Sequence, residues 1–92
     1  WLHVRSAGFG ATTIVVAEAD RPQGPWSPPL LVFRPPESDR AGAFVYAAKA
    51  HPELDAGGDA LAVTYVANAF DFATLVNDVT LYYPRFVKIA PP

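Results

Sequence analysis

The chain contains no cysteine and no methionine, and only 17% of its 92 residues are charged. The lack of cysteine excludes disulfide bonds, thiolate metal sites and cysteine nucleophiles. The seven basic residues are scattered and the formal net charge is −2, so no basic surface indicates binding to nucleic acid or to an anionic membrane. No apolar run approaches the roughly 20 residues that a membrane-spanning helix needs.

Apolar residues and prolines are abundant instead. Apolar residues make up 51% of the chain, which argues against intrinsic disorder. The ten prolines are about twice the usual share, and their spacing breaks any long helix. A single small unit over residues 1–92 has too little volume to bury this much apolar surface. We therefore expect part of the surface to be covered by a partner or by further parts of a larger protein.

The first part of the chain has the pattern of three strands. Residues 2–6 alternate apolar and polar side chains, and residues 12–17 are β-branched and almost continuously apolar. The second of these runs is typical of a strand that is covered on both faces. Residues 30–33 form a third short run before a polar break at residues 35–42.

The second part of the chain repeats this organisation. Residues 43–50 favour a strand, although their alanines also allow a helix, and residues 60–67 favour another strand after a turn at 55–59. Residues 69–78 are predicted to be a loop, and residues 79–89 a final strand that Pro84 interrupts. The sequence therefore predicts an all-β fold of antiparallel sheets in two blade-like halves, 1–38 and 41–92. A repeat of about 40 residues is typical of β-propeller blades.

Two groups of motifs carry a family resemblance. The turn Gly24-Pro25-Trp26, which ends the segment AEADRPQGPWS at residues 17–27, resembles the outer turn of a blade in five-bladed β-propeller glycosidases. The segments YAAKAHPEL, VTYVAN and YPRFV, at residues 46–54, 63–68 and 83–87, are similar to the C-terminal part of a bacterial family of domains of unknown function. That family is similar to the same glycosidases, and some of its members are endo-arabinanases.

The resemblance implies that the chain holds the last two blades of a propeller. It also implies glycan binding or hydrolysis by a secreted protein, either extracellular or periplasmic. Calcium is a possible ion, and only the family resemblance suggests it. The chain departs from the family at Tyr83, where the pattern has an arginine. Earlier blades, which supply catalytic acids in such propellers, are absent, so we expect this chain alone to be inactive.

The catalytic candidates are carboxylates, because a glycosidase needs two of them across a sugar-sized cleft. Most acidic residues lie in predicted turns, where solvated carboxylates are common. Glu53 and Asp71 are the candidates because each follows an apolar strand.

The predicted ligand-binding residues are Lys49, His51 and Glu53 together with Asn68. The first three alternate along the chain, so an extended backbone places them on one side. Alternatively, His51 ends a strand before Pro52, and Asn68 is a turn residue. Arg85 has two interpretations: it forms an internal salt bridge, or it contacts the ligand.

The sequence predicts no metal site and no cofactor. His3 and His51 have no spaced carboxylate partner and do not form a zinc signature. The expected partners are a carbohydrate and either further N-terminal blades or copies of the chain itself, which makes a non-catalytic assembly module the alternative function. A compact β-sandwich is the alternative architecture for a monomeric chain.

Overall fold

A computed structural model describes residues 1–55 and 57–90 of the chain. It contains two antiparallel three-stranded sheets and one short α-helix, so the all-β prediction is confirmed. The two sheets have the arrangement expected of two propeller-like blades. In the described residues, no helix has the length and apolar character needed to cross a membrane.

The first sheet consists of β1 (Leu2–Ser6), β2 (Ile14–Glu18) and β3 (Leu30–Phe33), with β2 in the centre. The first four residues of β2 are buried, as its β-branched, apolar sequence predicts for a strand covered on both faces. β1 pairs with β2 over its whole length, and a bulge interrupts the pairing of β2 with β3.

The loop between β2 and β3 contains the Gly24-Pro25-Trp26 turn. Gly24 has φ +88°, and a Cβ atom there would lie 2.9 Å from the backbone nitrogen of Trp26. Only glycine fits this position without a shift of the turn. The indole of Trp26 then packs edge-on against the His3 ring of β1, with the ring centroids 5.6 Å apart.

The second sheet consists of β4 (Ala43–Ala50), β5 (Leu61–Ala69) and β6 (Arg85–Ile89), with β5 in the centre. The strand prediction at 43–50 is confirmed over the helical alternative. The predicted turn at 55–59 includes Ala56, which lies outside the described residues, as do Pro91 and Pro92. Asp55 accepts a hydrogen bond from the backbone N–H of Ala60 at 2.7 Å and so fixes the approach to β5.

A bulge in β4 changes which side chains reach the core. Tyr46 pairs with Val66 and Lys49 with Thr64, so β4 has one more residue than β5 between these pairs. Ala47 occupies the bulge with φ 55°. Without this extra residue, strict alternation from Val45 would turn Lys49 towards the core. With it, Lys49 faces outward and Ala50 packs against the core.

The segment between β5 and β6 differs from its prediction. The predicted loop at 69–78 contains α1 (Phe72–Asn77), and Val79–Tyr82 is a 3₁₀ turn, so the prediction of a strand at 79–83 was wrong. Two aspartates explain the difference. Asp71 accepts a hydrogen bond from the backbone N–H of Ala73 at 3.0 Å, and Asp78 accepts one from the N–H of Thr80 at 3.2 Å. These caps satisfy N–H groups that a helical turn leaves unpaired, and they outweigh the strand propensity of the β-branched residues.

One core joins the two sheets. Its buried members come from β2, from all three strands of the second sheet and from the 3₁₀ turn that follows α1: Ile14, Val45, Val63, Tyr65, Ala67, Leu81 and Ile89. The linker between the sheets contains another 3₁₀ turn, Pro36–Asp39, whose Ser38 hydroxyl donates to the carbonyl of Thr12 at 2.9 Å.

A polar network lies at the edge of this core. Glu37 forms an ion pair with Arg85 and accepts a hydrogen bond from the Tyr65 hydroxyl at 2.9 Å. The Arg85 guanidinium also donates to the carbonyls of Thr80, Leu81 and Tyr83 at 2.7–3.0 Å. The internal salt bridge expected as one alternative for Arg85 is thus confirmed. It ties the linker to β5, to β6 and to the 3₁₀ turn before β6.

We expect Arg85→Lys to lower the free energy of unfolding by about 2–3 kcal/mol, because lysine cannot satisfy three carbonyls and a partly buried carboxylate together. Arg34→Lys is the matched control, since the Arg34–Asp39 pair is exposed and such pairs contribute less than about 1 kcal/mol. Urea unfolding of both variants measures the difference. Equal losses in the two variants would contradict the role assigned to Arg85.

Tyr65 gives the network a pH dependence at the alkaline end. Burial, and next the hydrogen bond and negative charge of Glu37, raise the pKa of Tyr65 to about 12. A raised pKa means that the folded state favours the neutral phenol. This stabilisation is complete below the ordinary tyrosine pKa of about 10 and is lost as the pH rises towards 12.

We therefore expect Tyr65→Phe to weaken the loss of stability between pH 9 and pH 11.5 relative to the unsubstituted chain. Urea unfolding at several pH values measures this slope. Tyr83→Phe, at an exposed tyrosine, should keep the original slope. A Tyr65→Phe slope identical to that of the unsubstituted chain would show that Tyr65 ionisation does not oppose folding.

Candidate functional site

The outer face of the second sheet, which points away from the shared core, carries most of the predicted ligand-binding residues. Lys49 on β4 and Phe86 on β6 both pair with Thr64 of the central strand. These three side chains therefore stand in one row across the sheet. The β4 bulge puts Lys49 in this row.

His51 links the row to the turn that follows β4. Its Nδ1 atom lies 2.9 Å from a carboxylate oxygen of Glu53, and its Nε2 atom lies 2.9 Å from the Thr64 hydroxyl. A neutral ring protonated on Nδ1 satisfies both contacts, because Nδ1 donates to the carboxylate and Nε2 accepts from the hydroxyl. The imidazole also lies beside the Phe86 ring, with the centroids 6.4 Å apart. His51 is thus held in a defined orientation and remains half-buried.

Glu53 completes this polar cluster from a 3₁₀ turn at Pro52–Leu54. The pKa of its carboxyl is below the ordinary value, chiefly because its own backbone N–H donates to it and next because of His51. The positive charge of Lys49 lowers it further. The structure therefore brings together three predicted residues, Lys49, His51 and Glu53. We call these three residues and Thr64 the His51 cluster.

Asn68 shares the outer face but lies away from the His51 cluster. It is four positions along β5 from Thr64, a distance of about 13 Å at about 3.3 Å per residue. Asn68 pairs with Phe44, and its side-chain oxygen accepts from the backbone N–H of Ala69 at 2.8 Å. Any ligand that contacts Asn68 and His51 together must therefore extend along the strand.

The two catalytic candidates lie at opposite ends of β5. The N–H of His51 bonds the carbonyl of Ala62, near the start of the strand, and Glu53 follows two residues later. Asp71 comes directly after the end of the strand and caps α1. The strand between them separates the two carboxylates by about 20–25 Å. Glycosidase pairs are about 5–9.5 Å apart, so these two do not form a pair within this chain.

An aromatic patch covers the other end of the outer face. Its exposed members, from the β1–β2 loop and from the segment after β5, are Phe9, Phe70, Phe72, Val76, Val79, Tyr82 and Tyr83. Phe70 packs on Phe44 with a centroid distance of 4.5 Å, and Phe9 contacts both rings. The patch borders an open groove of about 680 Å³. A hydrogen bond from Tyr46 to Tyr82, together with burial, raises the pKa of Tyr46.

A second groove, of about 570 Å³, lies at the Gly24-Pro25-Trp26 turn of the first sheet. Trp1 and Trp26 line it together with the side chains of Glu18, Asp20 and Ser27. Trp26 belongs to the turn that resembles the outer turn of a blade, and its ring packs beside His3 of β1. Neither tryptophan belongs to the outer face of the second sheet.

Metal ligands do not gather in the described part of the chain. Across residues 1–55 and 57–90, no three histidine or acidic side chains come close enough to hold an ion together. Calcium takes six to eight oxygen ligands, and the His51 cluster offers one carboxylate and one hydroxyl. The described residues therefore do not fit the calcium that the resemblance allows.

Two residues of the site were missed from the sequence. Thr64 and Phe86 looked like ordinary strand residues, since a lone threonine or phenylalanine in an apolar run gives no signal of its own. Their place beside His51 depends on how three strands pair. The cross-strand register was the missing information, and the β4 bulge sets part of it.

The fold and this face define an all-β protein of two three-stranded antiparallel sheets. Residues 2–91 match a family described as a domain of unknown function, DUF5005, and the chain belongs to that family. No curated protein and no solved structure gives a significant match.

We expect His51→Phe to raise the pKa of the Glu53 carboxyl towards its ordinary value, because the substitution removes the second largest cause of its depression. The rise should be partial, since the backbone N–H of Glu53 remains. NMR titration of the Glu53 side-chain carbon measures the pKa. His3→Phe, on the other sheet, should leave it unchanged. An unchanged pKa in His51→Phe would contradict the contact.

Proposed function

We propose that the chain is a glycan-binding, two-blade module of a glycosidase-like propeller that acts outside the cell or in the periplasm. The observation that carries this proposal is the His51 ring, held between Glu53 and Thr64 and next to an exposed Phe86. The resemblance of the blade turns and of the C-terminal motifs to propeller glycosidases supports the same class of ligand.

The chemistry of the His51 cluster suits a sugar. Carbohydrate recognition combines an aromatic ring, which packs against the C–H face of a sugar, with polar groups that bond its hydroxyls. Phe86 has 68% of its surface exposed and offers the ring. Lys49 offers donors, Glu53 offers acceptors, and Lys88 stands on the same face of β6. Asn68 extends the set along the strand for a longer oligosaccharide.

Binding suits this chain better than hydrolysis. Glu53 and Asp71 are too far apart to act on one glycosidic bond, and Asp71 already caps α1. Hydrolysis by a complete propeller would need acids from other blades, as the family resemblance implies. We propose that the chain by itself binds glycan without turnover.

Titration of the isotope-labelled chain with arabino-oligosaccharides, followed by NMR, tests this function. We expect amide shifts at Lys49, His51 and Glu53, and at Asn68 with longer oligosaccharides, because these groups contact the hydroxyls. Phe86→Ala should weaken binding about 5-fold or more, since loss of such an aromatic contact costs on the order of 1 kcal/mol. Leu54→Ala, at another exposed apolar residue of the same region, is the matched control.

Shifts confined to residues 35–42 and 55–59 would reject the proposed site. Shifts confined to Trp1 and Trp26 would move glycan binding to the groove of the first sheet. In either case Phe86→Ala would bind as the unsubstituted chain does.

A second candidate function is assembly of a larger structure from copies of the chain. The accessible surface is 5752 Å², compared with about 5,200 Å² for a folded monomer of 9.9 kDa. The radius of gyration is 14.2 Å, compared with about 12 Å for a compact domain of this length. The chain is thus extended and exposes more surface than a self-contained domain, which favours a module that is completed by association.

A further inference from the structure

The aromatic patch is too large for an ordinary exposed surface. Its five aromatic side chains, Phe9, Phe70, Phe72, Tyr82 and Tyr83, have 51–95% of their surface exposed. At about 200 Å² for a whole aromatic side chain, they expose about 700 Å² together. Val76 and Val79 enlarge this area. The largest apolar patch on a typical monomer is about 300–600 Å².

We propose that the aromatic patch is a symmetric dimer interface whose occupant is the same patch of a second copy. This inference rests on the assembly function proposed above and names its surface. A standard protein–protein interface buries about 800 Å² on each partner, which is close to what the patch exposes. Two-fold contacts between identical surfaces are the commonest form of homo-oligomer.

The uncharged lining of the groove beside the patch favours a second copy of the chain as the occupant. None of the nine described residues that line the adjoining groove is charged. A partner with a charged surface would have to bury those charges without a counterion, at a large cost. A second copy of the patch brings aromatic rings and valines, and its tyrosine hydroxyls can both donate and accept hydrogen bonds.

The first sheet fits the patch less well. Val15 pairs with both Arg5 and Leu31, so these three residues stand in a row on one face of that sheet. A head-to-tail contact that covers Leu31 with the patch of another copy would also cover the guanidinium of Arg5 with uncharged rings. The symmetric contact avoids this burial.

Sedimentation at 1–100 µM tests the interface with two variants and one control. Phe72→Glu places a charge in the patch, at the first position of α1, where glutamate favours the helix. Tyr83→Glu does the same outside the helix. Leu31→Glu is the matched control, since Leu31 is an exposed apolar residue of the first sheet. Circular dichroism checks that each variant keeps its strands.

We expect the unsubstituted chain and Leu31→Glu to sediment as dimers, and Phe72→Glu and Tyr83→Glu to dissociate at least 10-fold more readily. A monomer of 9.9 kDa for the unsubstituted chain would overturn both self-association and this interface. A dimer that neither patch variant weakens would overturn the interface alone. Loss of the dimer in Leu31→Glu as well would show a head-to-tail contact and overturn the symmetric one.

Discussion

The carboxylate of Glu37 is the point on which the architecture depends. It belongs to the linker between the two sheets, yet its partners, Tyr65 and Arg85, belong to the second sheet. A half-buried carboxylate needs such partners, because an unpaired charge there would destabilise the fold. Arg85 in turn satisfies the carbonyls of the turn before β6, and that turn supplies part of the aromatic patch. One ion pair therefore fixes both the path of the linker and the shape of a surface far along the chain.

Local sequence patterns predicted the strands well and their boundaries nearly as well. Alternation and β-branched runs describe burial on a sheet, and burial is what forms β2 and β5. The segment at 79–83 failed because its β-branched residues have the composition of a strand, while Asp78, one residue upstream, caps a 3₁₀ turn. A side-chain cap is a single hydrogen bond from the residue before the turn, and the composition of the turn itself does not indicate it. The six residues of α1 were missed for the same reason, since Asp71 is their cap.

The members of the candidate site that are close in sequence were predictable, and their neighbours on the other strands were not. Lys49, His51 and Glu53 follow one another along the chain, so their proximity is local. Thr64 and Phe86 join them only through the pairing of three strands, and the bulge at Ala47 shifts that pairing by one residue. Nothing in a run of alanines indicates which one adopts a positive φ. Asn68 was grouped with the others because it follows a strand, but the strand itself holds it away.

The length of β5 keeps the two ends of the outer face separate. The His51 cluster lies near the start of this strand, and the aromatic patch lies near its end and beyond, about 20 Å away. A glycan at the first and a second copy at the other therefore need not compete, and a charge introduced at Phe72 leaves the hydrogen bonds of His51 intact. Asn68 is the one predicted ligand residue at the patch end, where it lines the groove. If a dimer covers that end, a bound sugar is restricted to the His51 cluster. The length of β5 that a bound oligosaccharide contacts then shows how much of the strand the partner leaves uncovered.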